Sequence, residues 1–181
     1  MISIAPASVI TGWMSEPELY WLAVRASNHD NIIEAGCYYG RSTRALCDNA
    51  RGIVNAVDPW NGNYGKNLSK DGTPTAYQMV GSNIIFNHFL VNLSEHLHSG
   101  KCRIHIMEFH KTDIKDPDMI FIDAIHDYED VVRDIEHAMK LMKKGLLCGH
   151  DYSSEWPGVV KAVDDFFPKH EVIDTIWYTT L

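Results

Sequence analysis

Several things are scarce in this sequence, and each scarcity excludes a class of function. Of 181 residues only four are cysteine, Cys37, Cys47, Cys102 and Cys148, and none forms a C-x-x-C pair. Their expected place on or beside core elements suits a reducing cytoplasm. No apolar run approaches the roughly 18–20 residues of a membrane span, and the mildly apolar stretch Met1 to Ile10 lacks a basic leader. Neither membrane insertion nor export is expected. Positive charge is in deficit, with 16 Lys+Arg against 24 Asp+Glu and a net charge of -8. Such a surface repels phosphate backbones and anionic membranes, which leaves a small-molecule partner and argues against nucleic acid.

What is present is ordinary globular material. Hydrophobic residues make up 45% of the chain, charged 22% and aromatic 10%, enough to bury one sizeable core, so residues 1–181 are expected to form one domain. Short apolar runs bounded by turn residues alternate with helical patterns, the signature of βαβ units around a mostly parallel sheet with helices on both faces. The first 29 residues read as a helical segment, with a helix from Glu16 to Ser27 capped by Ser15. Strands are expected at Asn31–Ala35, Ile53–Val57, Cys102–Met107, Met119–Ile122 and Leu146–Cys148. Two terminal segments, Glu171–Ile173 and Ile176–Thr179, can close the sheet. Helices are expected over Arg41–Asn49, Tyr128–Lys143 and Val159–Phe167. A further long helix carries Ala76, Met79, Val80, Ile84, Leu90, Leu93 and Leu97 on one stripe. The helix Tyr128–Lys143 presents Val131, Val132, Ile135, Met139 and Met142 to the core. Residues 59–74, rich in glycine and asparagine, read as a mobile loop at the sheet's C-terminal edge.

The chemistry gathers at the strand ends. Glu34-Ala35-Gly36, Asp58 and Asp123 end three strands, and His150-Asp151 follows a fourth. Ligands of open parallel sheets bind beyond the carboxyl ends, so these groups converge on one crevice. The turn Glu34-x-Gly36-x-x-x-Gly40 lets a ligand approach the backbone near a positive helix end. Asp58, ending the next strand, can accept both hydroxyls of a ribose. A pyrophosphate fingerprint needs G-x-G-x-x-G, and position 38 is Tyr, so a nucleoside without a diphosphate is preferred.

These residues resemble the class I S-adenosylmethionine-dependent methyltransferases, a Rossmann-like fold with a seven-stranded sheet. More narrowly, Phe121-Ile122-Asp123-Ala124-Ile125-His126-Asp127-Tyr128 with Gly145-Leu146-Leu147-Cys148-Gly149-His150-Asp151-Tyr152 is similar to the "methyltransferase domain 24" group. The resemblance implies S-adenosylmethionine as cofactor. It puts Glu34, Gly36, Tyr38, Gly40 and Ser42 around its methionyl end, Asp58 on the ribose, Trp60 beside the cofactor, and Glu108, Phe109 and His110 along the adenine. It also implies a homodimer whose second copy completes the pocket.

Asp123, His126, His150 and Asp151 form a second constellation. Two carboxylates and an imidazole are competent ligands for a divalent ion. The catechol- and caffeoyl-type O-methyltransferases, which this pattern resembles, hold magnesium with an acid after the fourth strand and an acid-amide or acid-acid pair after the fifth. Here the pair is His150-Asp151, which turns the preference from Mg toward Mn, Fe or zinc, or toward no metal. His126 stands where those enzymes place a lysine base, and imidazole titrates near neutrality, so His126 is the candidate general base with Asp123 and Asp151 as catalytic companions. Trp13, Met14, Trp156 and Pro157 are candidates for the rim of an acceptor pocket. The favoured function is O-methylation of a small-molecule hydroxyl on a sugar or secondary metabolite. The chain has no (D/N)-P-P-(Y/F) string of the kind associated with adenine N6-methylation. A nucleotide-dependent oxidoreductase using NAD and a non-catalytic cofactor-binding module stay open as alternatives.

Overall fold

The computed structural model describes residues 1–61 and 82–181. The loop expected over 59–74 lies outside the described residues from position 62 onward, as do Ala76, Met79 and Val80.

The apolar runs become the centre of one sheet. β1 (Asn31–Ala35), β2 (Ile53–Val57), β3 (Cys102–His105), β4 (Met119–Ile122) and β5 (Leu146–Gly149) are mutually parallel. β6 (Glu171–Ile173) and β7 (Ile176–Thr180) follow, β7 running antiparallel to both β5 and β6. The order across the sheet is β3-β2-β1-β4-β5-β7-β6, the Rossmann-like, mostly parallel arrangement of seven strands expected from the sequence. Ile32 to Ala35 of β1 and the whole of β4 and β5 are buried, which is why these strands read as unbroken apolar runs and not as alternations. Chain order reverses at β1, which pairs with β2 on one side and β4 on the other, so the crevice of a doubly wound sheet opens there.

Helices cover both faces. α1 (Ala5–Ser8), α2 (Glu16–Ala26), α3 (Arg41–Asn49), α4 (Ser82–Asn92) and α5 (Ser94–His98) come before β3. α6 (Tyr128–Leu141) follows β4 and α7 (Pro157–Phe166) follows β5. One core layer packs Leu19 and Leu22 of α2, Leu46 of α3 and Phe89 of α4 with Ile32 and Val54. The other packs Ile135 of α6 and Val159 and Val163 of α7 with Ile33, Ile120 and Trp177. Cys37, Cys47, Cys102 and Cys148 are all buried free thiols. Among the described residues, no helix is long and apolar enough to cross a membrane.

Two helical stripes differ from the sequence pattern. The long helix is broken at Leu93, and its buried stripe is Ile85, Phe89 and Leu93 at i, i+4, i+8, while Ile84 is 51% exposed. Both registers are apolar here, and Phe89 decides between them because burying its ring gains the most. In α6 the core face is Val131, Ile135, Ala138 and Met142; Met139, expected inside, is 38% exposed because Ala138 takes the place closest to the sheet.

Candidate active site

A cleft of about 1380 Å³ opens over the strand ends. Its floor begins at the turn after β1. Gly36 and Gly40 adopt φ of +87° and +88°, a left-handed conformation that glycine takes at no steric cost. At Gly36 a Cβ would stand 1.9 Å from the Asp123 carbonyl oxygen, so this backbone is pressed against the end of β4. Tyr38, Trp60 and Asp151 are also left-handed, with φ of 49°, 40° and 64°. Such backbone costs on the order of 1–3 kcal/mol per residue and persists only where surrounding bonds enforce it.

At Tyr38 and Trp60, Asp58 supplies that enforcement. Its carboxylate, buried after β2, accepts from the amides of Cys37 at 2.9 Å, Tyr38 at 3.2 Å and Trp60 at 2.7 Å. Burial pushes the Asp58 carboxyl up, and these three backbone donors oppose the rise. One side chain therefore clamps the glycine turn to the loop that follows β2.

Glu34 stands behind the turn with no exposure and no hydrogen bond to either carboxylate oxygen. Burial raises it to about 8, and the nearby Ser42 and Thr43 hydroxyls oppose the rise without closing a well-formed bond. A carboxyl whose folded pKa is raised loses stability as pH climbs from about 4.5 through about 8. The ligand-free protein is therefore expected to be more stable at pH 5 than at pH 8, with Glu34 contributing on the order of a few kcal/mol. Thermal denaturation of Glu34→Gln at the two pH values checks this: the loss of Tm between them shrinks, and an unchanged loss refutes the assignment.

On the β4–β5 side the charged groups form a chain. Glu18 of α2 accepts from Thr175 Oγ1 at 2.6 Å, from the Thr175 amide at 3.2 Å and, through its other oxygen, from the Ser15 amide at 2.8 Å. His150 Nε2 donates to Glu18 at 3.2 Å, and its Nδ1 lies 3.2 Å from Asp151 and 3.7 Å from Asp123. Asp151 in turn accepts from His126 Nε2 at 2.7 Å. The His126 ring stacks on Trp156 with centroids 4.0 Å apart, and its Nδ1 is buried without a partner. Burial disfavours the charged His150 ring, but Asp123, Asp151 and Glu18 outweigh it and hold the ring up at about 11. Asp123 faces the cleft yet is enclosed on its other sides. Burial raises it to about 6 against the pull of His150. Burial also acts to raise Asp151, but hydrogen bonds from His126 and His150 hold it well below the usual range.

The opposite wall is formed by the short 3-10 turn Phe109–Lys111 after β3 and by α6. Glu108, Phe109, His110 and Asp134 all line the cleft there. Asp134, at 5% exposure, is pushed up to about 7 by burial, which the Arg133 charge partly offsets.

Of the residues expected around a cofactor, Gly36, Tyr38, Ser42, Asp58, Glu108, Phe109 and Asp123 line this one cleft. Glu34 and Gly40 lie behind its wall. Trp60, expected to flank the cofactor, turns into the core instead: it packs on Phe86 and Phe89 at 4.9 and 4.8 Å, and its Nε1 donates to the Tyr38 carbonyl. His126, His150 and Asp151 also reach the cleft, as do Trp13, Met14 and Trp156, whereas Pro157 does not. Trp13 stacks on Tyr38 at 5.1 Å, and Arg41 fastens its segment by donating to the carbonyls of Ser8, Ile10 and Met14. Sequence reasoning missed Glu18 and Asp134. The Ser15-x-x-Glu18 capping box was visible as a motif, but its reach to His150, 132 residues away, is a product of the fold.

The sequence profile of a methyltransferase domain family matches residues 33–152. Among curated proteins none matches the chain by sequence. Solved structures share its fold. A SAM-dependent O-methyltransferase from Thermotoga maritima is 13% identical with a TM-score of 0.64, over 94% of this chain and 66% of that one. The chain thus spans just under two thirds of that protein. An O-methyltransferase from Bacillus cereus in complex with SAH is 15% identical with a TM-score of 0.63, over 98% of this chain and 87% of that one. An O-methyltransferase from Streptomyces achromogenes involved in tomaymycin synthesis, in complex with SAM, is 13% identical with a TM-score of 0.63, over 93% and 81%.

Proposed function

The chain belongs to the methyltransferase domain family whose profile spans residues 33–152, and from that premise we propose that it moves the methyl group of S-adenosylmethionine to a hydroxyl of a small-molecule acceptor. The observation that carries the reading is the left-handed glycine turn clamped by Asp58 at the floor of the cleft, beside the His126–Asp151 pair. The turn fits a nucleoside cofactor: Gly36 lets the turn close on the Asp123 carbonyl at the cleft floor, and Asp58 keeps about one acceptor site for the ribose. The unpartnered Glu34 carboxyl behind it is suited to the field of a cationic methionyl end. Tyr38, stacked under Trp13, fills the place where a pyrophosphate-binding loop needs glycine, which disfavours NAD.

Methyl transfer to an alcohol is an in-line displacement whose rate depends on alignment and on removal of the hydroxyl proton. Asp151 accepts the His126 Nε2 proton and so leaves Nδ1, buried in this ligand-free state, as the acceptor nitrogen of the ring. Trp156 fixes the ring plane by stacking. Asp123, His150 and Asp151 present ligand atoms within 4.8 Å of one another and fit a divalent ion that displaces the His150 Nδ1 proton. Glu18 on His150 Nε2 is the outer carboxylate that orients a ligating imidazole. An ion held there would polarise the acceptor oxygen, and imidazole favours Mn or Fe over Mg. The acidic, aromatic-walled cleft suits a polyhydroxylated acceptor such as a sugar or another secondary metabolite.

Calorimetric titration with S-adenosylhomocysteine beside NAD tests the cofactor. Micromolar binding of the first alone is expected, and binding of NAD instead refutes the reading. Turnover against a panel of hydroxylated acceptors then tests the base: His126→Ala is expected to lower kcat by about 10²–10⁴-fold.

A further inference from the structure

The segment joining α1 to α2 is neither helix nor strand, so its carbonyls need donors from elsewhere in the chain. One side chain supplies three of them. Arg41, the first residue of α3, donates from Nη1 to the Ser8 and Ile10 carbonyls, both at 2.6 Å, and from Nε to the Met14 carbonyl at 3.0 Å. The strap, residues 8–14, lies directly on the arginine stem: at Gly12 a Cβ would stand 2.8 Å from Arg41 Cδ and 3.1 Å from its Cβ. Ile10 and Met14 are buried, while Trp13 is 68% exposed, lines the cleft and stacks on Tyr38. An indole this open in a cleft wall gains its burial only when a ligand occupies the cleft.

Arg41 follows Gly40, so the residue that grips the strap is the first one beyond the glycine turn. Strap and turn therefore meet twice, at the Arg41 bonds and at the Trp13–Tyr38 stack, and both line the same cleft. We propose that Arg41 is a positioning residue, which clasps the N-terminal strap to the glycine turn and so holds Trp13 as the wall against which a ligand seated on the turn packs. The inference rests on the S-adenosylmethionine reading above and deepens it, because it makes cofactor affinity depend on a segment outside the matched family region. The three Arg41 bonds all end on backbone carbonyls of the strap, so its effect on a ligand passes through the strap. About two turns further along α3, Asn49 grips the same N-terminal segment away from the cleft. Its side chain accepts from the Ser3 amide at 2.9 Å and donates to the Ser3 carbonyl at 2.7 Å. Asn49 thus provides a tether of similar kind that holds no part of the cleft wall.

The test measures S-adenosylhomocysteine affinity by calorimetry in wild type, Arg41→Ala, Trp13→Ala, the double variant of the two, Gly12→Ala and Asn49→Ala. Chymotrypsin cleavage after Trp13 is followed beside it in the ligand-free proteins. Arg41→Ala and Trp13→Ala are each expected to weaken binding by about tenfold, the loss of one aromatic contact and its buried area. The double variant is expected to bind within about threefold of the weaker single one, because a wall already lost cannot be lost again. Gly12→Ala keeps every arginine donor but crowds the stem, so it is expected to weaken binding by about threefold to tenfold, and it decides the matter where Arg41→Ala folds poorly. Asn49→Ala, which frees the segment only at Ser3, is expected to bind like wild type. With no ligand present, the bond after Trp13 is expected to be cut about tenfold faster in Arg41→Ala. Losses that multiply to about a hundredfold in the double variant mean that Arg41 acts on the ligand directly, and they overturn the assignment. An equal loss in Asn49→Ala or an unchanged rate of cleavage overturns it too. Wild-type binding that Arg41→Ala and Gly12→Ala leave within about twofold overturns this inference alone. Failure of wild type to bind S-adenosylhomocysteine at all overturns the cofactor reading and this inference with it.

Discussion

Asp58→Ala is expected to weaken S-adenosylhomocysteine binding by about a hundredfold or more and to lower Tm by about 5–15 °C, because the side chain does two jobs at once. It accepts from three backbone amides, and a carboxylate has about four lone-pair sites. About one site is left, so under the proposed cofactor reading Asp58 has room for one ribose hydroxyl where both were expected. Removing the carboxylate deletes that bond and strands the amides of Cys37, Tyr38 and Trp60, each at a cost of about 1–3 kcal/mol where water cannot reach. Tyr38 and Trp60 hold left-handed backbone only under that clamp, so the turn relaxes and the cleft floor it forms is lost with it. Asp58→Asn separates the two jobs. Its amide N–H groups face the backbone donors, so it lowers Tm nearly as much as alanine does, while its carbonyl keeps part of the ribose bond. Affinity in Asp58→Ala within threefold of wild type, measured by calorimetry, sinks the assignment.

The parts of this site that were legible in the sequence are those carried by local pattern. Val54 and Val57 belong to an apolar run that ends in an acid. Gly36 and Gly40 sit between a strand and a helix, and each of these features has a local cause. The mostly parallel sheet follows from alternating strands and helices, and the two terminal segments that close it have no helix between them. What local pattern could not show is how a polar atom is used once the chain has closed. Asp58 reads as a ribose ligand, and its clamp on the turn exists only because β1 and β2 are in register, with Glu34 opposite Ala56 and Ala35 opposite Val57. Trp60 reads as a cofactor flank, yet α4 brings Phe86 and Phe89 to it and an aromatic ring gains more from that cluster than from a half-open cleft. Asp134 sits among Asp130, Arg133 and His137, which read as one polar helix face. Only the docking of the 3-10 turn on α6 buries it.

Glu18 is the case with the largest structural consequence. Glu18→Gln is expected to lower Tm by about 6–20 °C at neutral pH, nearly as much as Glu18→Ala, although glutamine has the same shape. Every group that touches this carboxylate is a donor: the Ser15 amide, the Thr175 amide and hydroxyl, and His150 Nε2. Glutamine keeps one acceptor oxygen and turns an NH₂ toward donors, and it leaves the His150 charge with less to balance it. Removing one partner of a buried pair costs about 3–5 kcal/mol, and a protein of this length loses about 2–4 °C per kcal/mol. The pH dependence gives a second signature. Burial alone would raise Glu18, but its donors outweigh that and hold it at about 2, so its contribution is present above about 4.5 and is lost as pH falls toward 2. His150 is held up at about 11, so its contribution is full below about 6.5 and is lost as pH rises toward 11. The stability gap between wild type and Glu18→Gln is therefore widest from about pH 4.5 to 6.5 and narrows on both sides. A gap independent of pH, or a Tm within about 1 °C of wild type at pH 6, means that the chain from α2 to His126 is not held together by charge. The same carboxylate positions His150 beside Asp123 and Asp151, so the helix before the first strand, outside the matched family region, sets the geometry of the Asp123–His150–Asp151 end of the cleft.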